Sequence, residues 1–251
     1  MQIIPVMDLK SGQVVHGRAG NRALYQPLRS ILAENASPLA VARGLADQFG
    51  RCPVYIADLD AMGGAEPDWA SYRAVLQHHA SCWIDAGVSH HQQALTLLKS
   101  LHEHASQVRV IIGLETIAGF DEIRRITADH GPDRCGFSLD LRAGVPWARS
   151  EHWRNRSAEQ IADEVIASGI HRIIVLDVAR VGMDNGTGTS DLCRELSHRH
   201  PHVEWIAGGG ITGLTEIRSL HAAGCQGVLM ASALHDGRIT RQEFEQVAAW
   251  Y

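Results

Sequence analysis

Short apolar runs alternate with amphipathic stretches along all 251 residues of the chain. That rhythm restricts the fold more than any single motif does. A brief apolar run bounded by turn residues suits a strand covered on both faces. A longer stretch with apolar residues three and four apart suits a helix laid against the sheet. Strands are predicted over residues 2–7, 54–58, 82–86, 108–113, 136–140, 172–176, 203–207 and 227–230. Helices are predicted over 38–49, 68–79, 91–101, 120–130, 158–168, 191–200, 214–223 and 241–250, the first with Ser37 placed to cap it and Pro38 in its first turn. Each strand being followed by a helix points to an α/β fold, a closed (β/α)8 barrel of the TIM type in one domain spanning 1–251. An open doubly wound sheet is the alternative.

The two halves echo each other. Asp8 and Asp140 both end strands, as do Asp58 and Asp177, and Gly87 matches Gly210 as Gly113 matches Ala231. Each pair lies roughly 120 to 130 residues apart, which reads as a four-unit half-barrel duplicated once.

Chemistry in such barrels gathers at the carboxyl ends of the strands, on the loops that lead into the helices. There residues 204–212, E-W-I-A-G-G-G-I-T, break from an apolar run into three glycines. Backbone N–H groups that no Cβ shields, next to a helix start, make a seat for phosphate. A tight strand-to-helix turn is the plainer reading of the same residues. The longest connection, 9–37, carries Lys10, His16, Arg18, Asn21, Arg22 and Tyr25, and is long enough to close over the mouth as a lid that brings cations to a phosphorylated substrate. Asp8 and Asp140, at matching strand ends, face each other across a closed barrel. Two carboxylates so placed suit acid–base work, one deprotonated as base and one protonated as acid, although strand-end aspartates also serve as helix caps. Asp58, Asp60 and Asp177 suit capping or loop bonding, and the acids together could hold Mg²⁺ without the spacing demanding it.

Other engines are missing. The chain has no G-x-S-x-G elbow, no G-x-x-x-x-G-K-[ST] loop, no H-E-x-x-H and no G-x-G-x-x-G opening a helix after its first strand. Its net charge of −5, with basic residues scattered, gives no footprint for nucleic acid or an anionic membrane. The expected partner is a small phosphorylated substrate, and no signal speaks to oligomeric state. Five singly spaced cysteines fit reduced thiols, and the histidines at 198, 200 and 202 are set aside as metal ligands, so no metal is expected. With Pro5 and Asp8 interrupting the first apolar run and no stretch of membrane-spanning length, a cytoplasmic protein is expected.

Residues 3–15 (I-I-P-V-M-D-L-K-S-G-Q-V-V), 137–144 (F-S-L-D-L-R-A-G), 207–212 (A-G-G-G-I-T) and 227–234 (G-V-L-M-A-S-A-L) resemble, in order and spacing, the HisA/HisF family of sugar-phosphate barrels. The likeness spans essentially the whole chain. It implies an Amadori rearrangement, aminoaldose to aminoketose, on a substrate with a phosphate at each end and without a cofactor. Asp8 would be the general base and Asp140 the general acid that opens the ribose ring. Gly209, Gly210, Ala231 and Ser232 would form one phosphate site. Apart from the resemblance, Gly87 and Gly113 at the matching places of the first half, Arg18 on the lid and Asp177 at its strand end are candidate substrate or phosphate contacts.

The chain departs from that pattern in the first half. Asp85, Ala86, Gly87, Val88 and Ser89 stand where the family has a G-G-G-I-R-like turn, so two glycines and an arginine are gone and an acid is gained. A carboxylate there repels phosphate. Leu114, Leu176 and Val181 replace a small residue, a catalytic threonine and an aspartate. One phosphate site looks kept and one dismantled, as in a divergent branch associated with archaea and with one-carbon metabolism in methylotrophs. Three functions compete: an isomerase on a phosphosugar, the histidine-pathway substrate or a singly phosphorylated relative; a carbon–carbon lyase or synthase using Lys10 as a Schiff-base amine; and a non-catalytic binder of a phosphometabolite.

Overall fold

In a computed structural model, which describes residues 1–250, eight parallel strands close on themselves. They are β1 (Gln2–Lys10), β2 (Pro53–Asp58), β3 (Ser81–Asp85), β4 (Val108–Gly113), β5 (Cys135–Arg142), β6 (Arg172–Asp177), β7 (Glu204–Gly208) and β8 (Gly227–Met230). Neighbours pair in chain order, and β8 returns to β1 through Gln2↔Gly227 to Pro5↔Met230, which removes both sheet edges. Between them run α1 (Pro38–Phe49), α2 (Trp69–His78), α3 (His91–Ser100), α4 (Phe120–His130), α5 (Ala158–Ala167), α6 (Ser190–Arg199) and α7 (Leu214–Ala222), with α8 (Arg241–Ala248) last. This is the (β/α)8 barrel that the strand–helix alternation predicts. Among the described residues no helix is long and apolar enough to cross a membrane.

Alternation along the strands sorts side chains into two cores. One set points into the barrel, with Ile4, Tyr55, Trp83, Ile111, Ile174, Ile206 and Leu229 filling its interior. The residues between them point outward to helices, as Met7, Ile56, Ile84, Ile112, Leu139 and Val175 do. Full burial of each such side chain contributes about 1.5–3 kcal/mol, so the barrel is a packed core and not a pore. Trp83 sits near the amino-terminal end, with the Arg172 and Arg109 guanidiniums 5.1 and 5.9 Å from its ring centre.

The half-barrel repeat is visible atom by atom. β1 and β5 each run past the barrel into an antiparallel hairpin, to Gln13–His16 and to Val145–Pro146. Both turns are two residues with left-handed φ, Ser11 and Gly12 at 51° and 72°, Ala143 and Gly144 at 53° and 80°, the geometry that matches strand twist. Acids from the next strand ends pin them. Asp60 accepts from the Ser11 N–H at 2.5 Å, and Asp177 accepts from Ala143 and Gly144 at 3.0 and 2.9 Å. Strand extension into these hairpins is why β1 and β5 are longer than the apolar runs alone indicate.

Candidate active site

The carboxyl ends of the strands surround a cleft of ≈ 1020 Å³, solvent mouth included. Its walls come from three sources: strand-end acids of the first and fifth strands and their neighbours, the lid after β1, and the glycine turn after β7.

Asp8 and Asp140 both line this cleft, although far apart in sequence. Their settings differ. Asp140 is 5% exposed; Ser138 Oγ donates to its Oδ1 at 2.6 Å and the Glu115 N–H donates to its Oδ2 at 3.3 Å. Burial, and then the charge of Asp85, hold its carboxyl well above the ordinary range, which favours its acid form. Asp8 is half-buried. Burial lifts it to about 7 while the Arg22 guanidinium pulls the other way, which poises it between base and acid forms. Its carboxylate faces Gly17 of the lid, where a Cβ would stand 2.9 Å from Oδ2.

The lid does lie over the mouth. Gly17, Gly20, Arg22 and Tyr25 line the cleft, and the Ala19 N–H donates to the Val181 carbonyl at 2.8 Å, so the lid is fastened to the loop after β6. Tyr25 keeps its proton, its hydroxyl pushed up to about 12 by burial and by the Asp8 charge. Arg18 is exposed and outside the cleft, because the chain turns there; the cation that reaches the site from this loop is Arg22. Arg22 pairs with Glu115, which is 2% exposed. The sequence placed Arg22 on the lid but gave no sign of its partner after β4.

Gly209, Gly210, Ala231 and Ser232 come together on the second-half side. Gly209 and Gly210 have φ of 93° and 73°, and a Cβ on Gly210 would meet the Arg180 and Gly186 carbonyls at 2.8 and 2.9 Å, so only glycine serves there. Their N–H groups, like that of Ile211, find no acceptor among the described residues. Ser232 begins a short helical turn, Ser232–His235, whose first N–H groups are free by construction.

The first-half counterpart is different. Gly87 does not line the cleft, and its N–H donates to Asp85 Oδ1 at 3.0 Å, so the protein's own carboxylate occupies the turn. Gly113 lies beneath, where a Cβ would meet Asp85 Oδ2 at 3.2 Å and Asp140 Oδ2 at 3.4 Å. Asp177 also stays outside. Both its oxygens are taken by backbone N–H groups of Ala143, Gly144 and Ala179, so it braces the β5 hairpin and caps the turn after β6 in place of touching a substrate. Asp58 also stays outside but braces no hairpin, a role that falls to Asp60 in the first half; it accepts from Ala61 and Asp68 N–H groups and from the Tyr72 hydroxyl at 2.6 Å. Among the described residues no three His, Cys, Asp or Glu side chains gather as a metal cage. Tyr55, Glu115 and Trp147, which the sequence did not single out for the site, complete its walls.

Comparison with known proteins fits this arrangement. The family model described as histidine biosynthesis protein matches residues 2–240. An uncharacterized protein of Methanocaldococcus jannaschii is 27% identical over 97% of both chains. Two relatives named 1-(5-phosphoribosyl)-5-((5-phosphoribosylamino)methylideneamino) imidazole-4-carboxamide isomerase are similar over nearly their whole lengths. That of Pectobacterium atrosepticum is 27% identical over 99% of this chain and 98% of its own; that of Maricaulis maris is 28% identical over 96% of each.

Proposed function

Since the chain belongs to the histidine biosynthesis protein family, we propose that it is an isomerase converting a phosphorylated aminoaldose to an aminoketose, with Asp140 as general acid and Asp8 as general base. The observation that carries this reading is one cleft holding two aspartates, both raised by burial, beside a cup of backbone N–H groups without protein acceptors. The cup takes the phosphate and fixes the sugar; the acids then act on the other end of it.

Protonated Asp140 gives its proton to the ring oxygen, the C1–O bond breaks, and the nitrogen lone pair forms an iminium. Asp8 removes the proton from C2, leaving an enolamine. A proton returned at C1, with loss of the one on the C2 hydroxyl, gives the aminoketose. Electrons only shift within the substrate, so the sequence of steps calls for no cofactor. The lid bonded to the β6 loop keeps water from the iminium, which would otherwise hydrolyse.

A lyase that forms a Schiff base is less well supported. The Lys10 amine donates to the Arg22 carbonyl at 2.7 Å and does not line the cleft, and Lys99 is exposed on α3. The test is turnover by the purified protein on the bisphosphate substrate named for the relatives and on singly phosphorylated ribosylamines, followed by aminoketose formation. Asp8→Asn and Asp140→Asn should each lose at least about a hundredfold in turnover with the fold retained. Tight binding of these compounds with none converted would replace the isomerase by a metabolite-binding role.

A further inference from the structure

The two ends of the cleft carry opposite chemistry. Toward β7 and β8 it presents bare backbone N–H groups; toward β3, β4 and β5 it presents carboxylates. Asp85, Glu115 and Asp140 line this second wall, with Asp8 across the cleft on β1, and Arg22 is the only cation among the lining residues. A fifth acid, Asp184, sits at the rim and is engaged by Arg238 at 3.0 Å. Arg22 is not free to meet an incoming anion, since its guanidinium is committed to Glu115 and lies 3.7 Å from the Met62 sulfur.

Glu115 supplies a second, separate observation. It is 2% exposed and lines the cleft, and while Oε1 accepts from Arg22, Oε2 is buried with no hydrogen-bond partner. A buried carboxylate oxygen without a donor is rare in folded proteins and calls for one from outside the chain. Nearby, Asp85 Oδ2 receives only a long 3.3 Å bond from the Tyr55 hydroxyl and faces Asp140 Oδ2 across the bare Cα of Gly113. These carboxyls form one acidic wall short of positive charge, where burial and the charges of one another raise Asp85 and Asp140.

On the reading above, in which the glycine cup takes a phosphate, we propose that the acidic end of the cleft is a subsite for a protonated amine, so that the substrate carries one phosphate and, at its far end, an amino group where the bisphosphate substrate has a second phosphate. An ammonium brings three donors and one positive charge, which answers the orphan Glu115 oxygen and the surplus of carboxylates together. A hydroxyl answers only the first need. A phosphate answers neither, because it adds acceptors and negative charge, and the Gly87 N–H that could have received it is already spent on Asp85.

Inert two-ended ligands test this on the full-length protein. A set of ω-aminoalkyl phosphates, the matching ω-hydroxyalkyl phosphates and the alkanediol bisphosphates, each over a range of chain lengths, is titrated by calorimetry, with inorganic phosphate as reference. At the best length the amine should bind about tenfold tighter than either the hydroxyl or the bisphosphate, a gap of about 1.4 kcal/mol. Glu115→Gln should erase most of that preference and leave inorganic phosphate binding within about twofold. Asp85→Asn gives a second, independent removal of charge where Glu115→Gln does not fold. A bisphosphate that binds tightest, equal affinity for all three termini, or a preference that survives both substitutions overturns the proposal. Because these ligands cannot rearrange, the result is separate from turnover: an amine preference in a protein without isomerase activity removes the isomerase reading alone, and failure to bind any phosphate removes both.

Discussion

Asp85 and Gly87 close on each other, the glycine N–H donating to Asp85 Oδ1 at 3.0 Å, so the turn that could hold an anion is filled by the chain's own acid. That arrangement costs stability at neutral pH. Burial, chiefly, raises Asp85 from 3.8 to about 7, so the folded protein holds this proton more tightly than the unfolded chain does. The contribution is fully present below about pH 4 and is lost as pH rises through about 7. Asp85→Asn keeps an oxygen for Gly87 without the charge. It should therefore stabilise the protein by roughly 1 to 4 kcal/mol at pH 8 and leave it little changed at pH 4. Denaturant unfolding at the two pH values checks this, and equal effects at both would remove the argument.

Burial raises the proton affinity of Asp8 and Arg22 holds it down. Burial lifts Asp8 to about 7 against the pull of the Arg22 charge, so the kcat/KM of the proposed isomerase should climb with pH through about 7 as the base form appears. Arg22→Met removes the opposing charge, and the rising limb should move to higher pH. A limb that stays in place, or shifts down, shows that another group governs it.

How far the site could be read from the sequence follows from what each residue depends on. Asp8 and Asp140 were legible because each ends an apolar run and the repeat sets them at matching places. The cup was legible because three glycines in a row have few other uses. Glu115 was not, since its meaning comes from Arg22, 93 positions away, and only the closed barrel and folded lid join them. Arg18 and Arg22 look alike on one loop; the turn of the chain between them decides which one enters. Asp177, a candidate substrate contact whose strand-end place also suited backbone bonding, takes the second role and bonds the hairpin after β5. That hairpin, whose second strand is the two-residue Val145–Pro146, carries too short an apolar pattern to be seen.

Lid closure depends on two glycines meeting. A Cβ on Gly182, whose φ is 65°, would fall 1.9 Å from the Gly17 carbonyl oxygen; one on Gly17 would fall 2.7 Å from a Val181 methyl and 2.9 Å from Asp8 Oδ2. Gly182→Ala should therefore part the lid from the β6 loop. The reporter is the Ala19 amide, which donates to Val181 at 2.8 Å and should lose about tenfold or more of its hydrogen-exchange protection. Retained protection would show that the lid stays fastened and that the glycine contact does not control closure.

The far end of the barrel should matter for stability and not for the ligand. Trp83 is 2% exposed, has the guanidiniums of Arg172 and Arg109 at 5.1 and 5.9 Å from its ring centre, and lies toward the amino-terminal end of the interior. Arg172 in turn pairs with Glu204 at 2.6 Å, while its Nε and Nη1 are buried without acceptors, so the aromatic face is the main support for a charge held largely away from water. Trp83→Ala removes the ring and that support together and should cost about 3–5 kcal/mol. Trp83 does not line the cleft, and Ile174 and Ile206 of the interior lie between it and the glycine cup. Inorganic phosphate should then bind the folded variant within about twofold of the parent protein, a difference under about half a kcal/mol. A larger loss would show that the floor and the cup share one packing unit, and the division of this barrel into a stabilising end and a binding end would fail with it.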